Sequence, residues 1–126
     1  MQQSTVLIAD DDDLIRDVYS TAFKNAGMNV LLATTGKECV ELALQHHPDV
    51  ILVDILMPDM DGHKAIDKLR YDDWGKHANI VYLTNLSDAE NVTNAVANKT
   101  DEYIIKANTT VKEVVNKVRL SMHTSS

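Results

Sequence analysis

The sequence predicts an α/β fold, a five-stranded parallel sheet with helices wound on both faces as a (βα)5 unit, and three observations carry that expectation. Five short apolar runs rich in β-branched residues recur along the chain, as suits strands covered on both sides. Longer amphipathic stretches with helical start and stop signals lie between them. The chain has 126 residues, of which 44% are hydrophobic and 25% charged. That is enough for one core and too short for two full domains, so residues 1–126 are read as a single domain.

The first run is Val6 to Ala9. From about Leu14 a helical stripe follows, with Leu14, Ile15, Val18, Ala22 and Phe23 on one face and Gly27 as the stop. The second run is Val30 to Ala33, and Thr35-Gly36-Lys37-Glu38 reads as a capping box opening the second helix. The third run, Val50 to Val53, precedes a helix over His63 to Arg70 whose Ala65, Ile66 and Leu69 face inward. Tyr71 to Asn79, with Gly75 among polar residues, reads as a loop. The fourth run is Ile80 to Leu83, and Ser87-Asp88-Ala89-Glu90 starts the fourth helix. The fifth is Tyr103 to Ile105; Thr110-Val111-Lys112-Glu113 then caps the fifth helix, where Val111, Val114, Val115 and Val118 form a core stripe. The tail Thr124-Ser125-Ser126 is expected to fray. Strict alternation implies right-handed crossovers, and the strand order 2-1-3-4-5 is adopted from flavodoxin-like doubly wound sheets.

With 12 Lys plus Arg against 19 Asp plus Glu, the formal charge is −7, which argues against direct binding of nucleic acid. Cys39, the one cysteine, can form neither an internal disulfide nor a zinc site, as fits a reducing compartment. The start has no basic n-region, and no apolar run approaches the ~18 residues that span a bilayer. The expectation is a cytoplasmic protein without a membrane segment.

In open parallel sheets ligands bind beyond the carboxyl ends of the strands. There the sequence places Asp10 to Asp13 after the first strand, Asp54 at the third, Thr84 at the fourth and Lys106 at the fifth. Each has an ordinary explanation: Asp12 or Asp13 as a helix N-cap, Thr84 as a strand-end hydroxyl, Lys106 as a solvated cation. Their conjunction at one rim points to chemistry. Asp10, Asp11 and Asp54 repel unless a cation neutralises them, and oxygen-only ligands without a twelve-residue calcium loop favour Mg²⁺. A carboxylate beside Mg²⁺ and a lysine is a nucleophile suited to a phosphoryl group, since metal and ammonium stabilise charge on the transferring oxygens.

These residues resemble the receiver domain of bacterial two-component response regulators, chemotaxis-regulator-like, over essentially the whole chain. The resemblance is carried by Val6-Leu7-Ile8-Ala9-Asp10-Asp11-Asp12, by Val53-Asp54-Ile55-Leu56-Met57-Pro58-Asp59-Met60-Asp61-Gly62, by Leu83-Thr84 and by Tyr103-Ile104-Ile105-Lys106. It implies that Asp54 accepts a phosphoryl group from a phosphohistidine on a sensor histidine kinase or phosphotransfer protein. Asp11 and Asp54 would bind Mg²⁺ directly, with the backbone carbonyl of Leu56 and, through water, Asp10. Lys106 would pair with Asp54 and then with the phosphoryl group, while Thr84 and Tyr103 would form the switch. The readout surface would be the fourth helix, fifth strand and fifth helix, about Ser87 to Leu120, engaging a downstream protein or a phosphorylation-dependent second copy.

Two departures stand out. Lys106 precedes Ala107 where the family usually has proline; a cis bond without proline costs ~2.5 to 4 kcal/mol, so energy favours trans. Asn85 follows Thr84 where a small residue is usual, and either narrows access or bonds within its loop. Apolar Leu56 and Leu86, each two residues beyond Asp54 and Thr84, position water poorly and predict a long-lived phosphorylated form. His46 and His47, beside Pro48, read as helix-end residues, His63, His77 and His123 share no spacing, and Trp74 is either a local lid or a contact point. The rival readings are a receiver-like interaction module that is not phosphorylated and, further off, an aspartyl-phosphate phosphohydrolase. A nucleotide or flavin binder lacks a glycine-rich phosphate loop.

Overall fold

Alternation along the strands sorts the core into two halves. Successive strand residues point to opposite sheet faces, and here both faces are covered, so both sets are apolar. The computed structural model describes residues 4–54, 62–84, 102–105 and 110–124. Within them lie β1 (Thr5–Ala9), α1 (Asp13–Asn25), β2 (Asn29–Ala33), α2 (Gly36–His46), β3 (Val50–Asp54), α3 (Gly62–Arg70), β4 (Ile80–Thr84), β5 (Glu102–Ile105) and a C-terminal helix, Val111–Thr124. The strands form one parallel sheet in the order β2-β1-β3-β4-β5. The α/β class with a parallel sheet is as the sequence predicts. The expected fourth helix after Ser87 lies outside the described residues, as do Leu56, Asn85, Leu86, Lys106 and Ala107.

Leu7, Ala9, Ile51, Val53, Ile80 and Tyr82 pack with Cys39 and Ala43 of α2 and Ile66 and Leu69 of α3. Val6, Ile8, Val50, Leu52, Val81 and Leu83 pack on the other face with Tyr19 and Phe23 of α1 and Val114, Val115 and Val118 of the C-terminal helix. The valine stripe is therefore core, as its spacing predicts. The α1 stripe needs correction. Phe23 is fully buried, and Ile15 and Ala22 are half-buried against the core, but Leu14 is 70% and Val18 40% exposed. The buried arc centres on Tyr19, Ser20 and Phe23, and Leu14 stands in the first turn, at the rim where the sheet ends.

The ends of the helices follow from their capping residues. Thr35 Oγ1 accepts the Glu38 N–H at 3.1 Å, while Glu38 Oε1 accepts the N–H of Thr34 at 2.7 Å, one residue before the usual capping-box partner. Thr110 and Glu113 repeat the hydroxyl half of that arrangement at 3.2 Å. Gly27, at φ +86°, ends α1 with paired bonds from Gly27 N to the Lys24 carbonyl and from Met28 N to the Phe23 carbonyl. The Tyr71–Asn79 segment is more structured than a loop. It contains a 3-10 turn, Gly75–His77, with Asp72 Oδ2 accepting the N–H groups of Trp74 and Gly75 at 2.9 and 3.0 Å. Arg70 Nη1 donates to the carbonyls of Gly75, Lys76 and Ala78 at 2.8, 3.1 and 3.0 Å. Among the described residues no helix is long and apolar enough to cross a membrane.

Candidate functional site

Parallel strands end on the same side, so register alone brings distant acids together. Ala9 of β1 pairs with Val53 of β3, which sets Asp10 and Asp54 side by side at the carboxyl rim. Both are buried, Asp10 fully and Asp54 to 6% exposure, whereas Asp11 is exposed. A carboxylate oxygen from each of the three lies within 4.8 Å of the others.

The turn that carries Asp10 and Asp11 is tied on either side of Asp11, at Asp10 and at Asp12. Asp10 N donates to the Ala33 carbonyl at 3.1 Å, which extends the sheet by one bond. Its carboxylate Oδ1 accepts the Asp12 N–H at 3.0 Å. Asp12 in turn caps α1, its Oδ1 accepting the N–H groups of Leu14 and Ile15 at 2.9 and 3.3 Å. The ordinary reading of Asp12 as an N-cap is thus correct. Arg16 Nη1 donates to the main-chain carbonyl of Asp10 at 2.7 Å, and Nη2 pairs with Asp13.

Asp54 pairs in register with Leu83 of β4, so Thr84 ends its strand one residue further along the same rim, opposite Ile105 of β5. Tyr103 lies in β5 in register with Tyr82. These are backbone positions; the side chains of Thr84 and Tyr103, like Lys106 and the Leu56 carbonyl, lie outside the described residues. Of the expected site residues, the structure brings together Asp10, Asp11 and Asp54. Arg16 was not among them. A single arginine on a surface helix ordinarily belongs to the solvated face, and the only available signal was its i,i+3 spacing from Asp13.

Grouping two buried carboxylates with a third costs several kcal/mol per buried ion unless a cation balances them. Three hard oxygen donors, with room for water on the exposed Asp11 side, fit a small divalent ion such as Mg²⁺, which keeps part of its hydration shell. Cys39 sits in the core, where burial pushes its thiol up to about 12.

The comparisons agree with this geometry. The family model for the response regulator receiver domain matches residues 6–119. Regulatory protein AtoC of Escherichia coli (strain K12) is 35% identical over 101 residues, covering 80% of this chain and 22% of AtoC, so the chain spans only a fraction of that relative's length. The Francisella response regulator 1452 receiver domain superposes with a TM-score of 0.86 at 27% identity, covering 98% of this chain and 100% of that one. The chemotaxis response regulator CheY4 of Vibrio cholerae gives a TM-score of 0.86 at 25% identity, covering 95% and 99%. With its parallel sheet, its acidic rim and this match along nearly its whole length, the chain belongs to the receiver domain family of two-component response regulators.

Proposed function

We propose that residues 1–126 form one (βα)5 receiver domain in which Asp54 accepts a phosphoryl group with the help of Mg²⁺. The observation that carries the reading is the nearly buried Asp54 carboxylate at the end of a central strand, with oxygens of Asp10 and Asp11 within 4.8 Å. A carboxylate enclosed in this way is oriented by its strand and shielded from bulk water, as an in-line nucleophile requires. An Asp54 oxygen attacks the phosphorus of a phosphohistidine, the P–N bond breaks, and the imidazole nitrogen leaves with the electron pair. An acyl phosphate remains on Asp54. The chain thus catalyses its own phosphorylation and turns over no separate small substrate.

Asp11 and Asp54 would hold Mg²⁺, with the Leu56 carbonyl, and Asp10 would help through water. Bound there, the ion would supply positive charge that offsets the acids and the incoming phosphoryl oxygens. Lys106 pairs with the phosphoryl group, and Thr84 and Tyr103 shift towards it as the switch. Support for these roles comes from family membership and from the rim position of Asp54, Thr84 and Ile105. The phosphodonor is a sensor histidine kinase or phosphotransfer protein in the cytoplasm. The output is a protein contact over about Ser87 to Leu120, with a downstream partner or a second copy.

Intact mass after incubation with Mg²⁺ and acetyl phosphate tests the reading. One phosphoryl group on wild type and none on Asp54→Ala is the expected result. No added mass on wild type, with a donor that labels another receiver domain, points instead to an interaction module that is not phosphorylated.

A further inference from the structure

Arg16 is more enclosed than its place on a surface helix explains. Its side chain is 14% exposed, while its partner Asp13 is 91% exposed. An exposed partner makes theirs a surface ion pair, which holds a side chain weakly. The second bond accounts for the burial: Nη1 reaches back six residues to the Asp10 carbonyl at 2.7 Å. That carbonyl lies just past the last paired residue of β1, Ala9, where the backbone leaves the sheet.

The contact closes a loop of bonds. Arg16 N donates to the Asp12 carbonyl at 3.0 Å, Asp12 N donates to Asp10 Oδ1 at 3.0 Å, and the Arg16 guanidinium returns to Asp10. Asp11 is held inside it, between two residues whose backbones are both fixed. Asp13 offsets the guanidinium charge, so the anchor does not oppose a cation at the neighbouring acids.

We infer that Arg16 is a positioning residue for the cation site: by fixing the main chain at Asp10 it sets how Asp10 and Asp11 face Asp54. The inference rests on the reading that these acids take Mg²⁺. It is tested by calorimetric titration of MgCl₂ into wild type, Arg16→Met and Arg16→Lys, with thermal unfolding of each in EDTA and at one fixed Mg²⁺ concentration. Arg16→Met keeps the aliphatic stem and loses both bonds; it is expected to weaken Mg²⁺ binding roughly tenfold, as loss of a partner that orients a ligand does. The Mg²⁺-dependent rise in unfolding temperature shrinks with it. Arg16→Lys keeps one donor but not the fork, and falls between.

A merely structural role would lower the unfolding temperature equally with and without Mg²⁺ and leave affinity unchanged, which overturns the inference. Tighter binding by Arg16→Met would show that the charge, not the anchor, matters, and overturns it too. If Arg16→Met fails to fold, Arg16→Lys decides, and wild-type affinity there is the negative result. Wild type that binds no Mg²⁺ removes the metal reading itself and the inference with it; wild type and both variants binding alike removes the inference alone.

Discussion

The imidazole of His47 lies flat on the indole of Trp74, with ring centroids 4.4 Å apart and planes 9° from parallel. His47 ends α2 in the left-handed conformation, φ 48°, and Trp74 belongs to the segment after α3. The stack therefore joins two connections at the rim opposite the acids. His47→Ala should cost about 1 kcal/mol of stability by losing it and should change the emission of Trp74, the only tryptophan in the chain. Because Trp74 lies at the far rim, Mg²⁺ at concentrations that saturate the acids should leave its emission unaltered. Fluorescence and urea unfolding check both statements.

Two glycines are required for different reasons, and alanine separates them. At Gly27 there is open space, but φ is +86°, so Gly27→Ala should cost about 1 to 2 kcal/mol in backbone strain. Gly27→Asn should recover part of it. At Gly75 an added Cβ would stand 1.8 Å from the Leu69 carbonyl oxygen, so the turn or the end of α3 must move. Gly75→Ala should cost at least about 2 kcal/mol, and asparagine should not help. Denaturant midpoints of the variants give the comparison.

Cys39 links stability to high pH. Its folded thiol titrates at about 12 against an ordinary 9.0, because the thiolate would be buried. Below pH 9 both states keep the proton. Between these values the unfolded chain loses it first, so stability falls by about 1.4 kcal/mol per pH unit until the folded value is reached. Cys39→Ala should remove that part of the slope above pH 9. In the native protein near pH 8, alkylating reagents should label Cys39 only as fast as the core opens.

Asp54→Asn should raise stability in EDTA by about 1 kcal/mol, since it takes one charge out of a crowded, buried set of acids. The same variant should lose most of the stabilisation that Mg²⁺ gives wild type. Thermal unfolding with and without the ion reads both changes; a less stable Asp54→Asn in EDTA would count against carboxylate repulsion at this rim.

Much of this fold and part of its site could be read from the residues. Val6 to Ala9 and Val50 to Val53 are continuous apolar runs because both sheet faces are covered, and that continuity marks them as parallel strands. The Asp10–Asp54 pairing followed once the strand order was set. Leu14 and Val18 were misread because periodicity gives a stripe's direction along a helix but not how far the sheet beneath it extends. The His47–Trp74 stack joins residues 27 positions apart on separate elements, and the Arg70 contacts with three carbonyls depend on a turn no local pattern specifies. Arg16 was hidden for a similar reason, since its principal acceptor is main chain and main-chain acceptors have no sequence signature.

That choice of acceptor matters for how the site can vary. A bond to a carbonyl oxygen survives any side chain at position 10, and the tie from Asp12 N to Asp10 Oδ1 can be made as well by asparagine. The side chain at position 10 can therefore be changed to the amide, taking one charge from the acidic rim, while the main-chain anchor beneath it stands. Support and charge thus rest on separate groups in this turn, and one can be altered without the other.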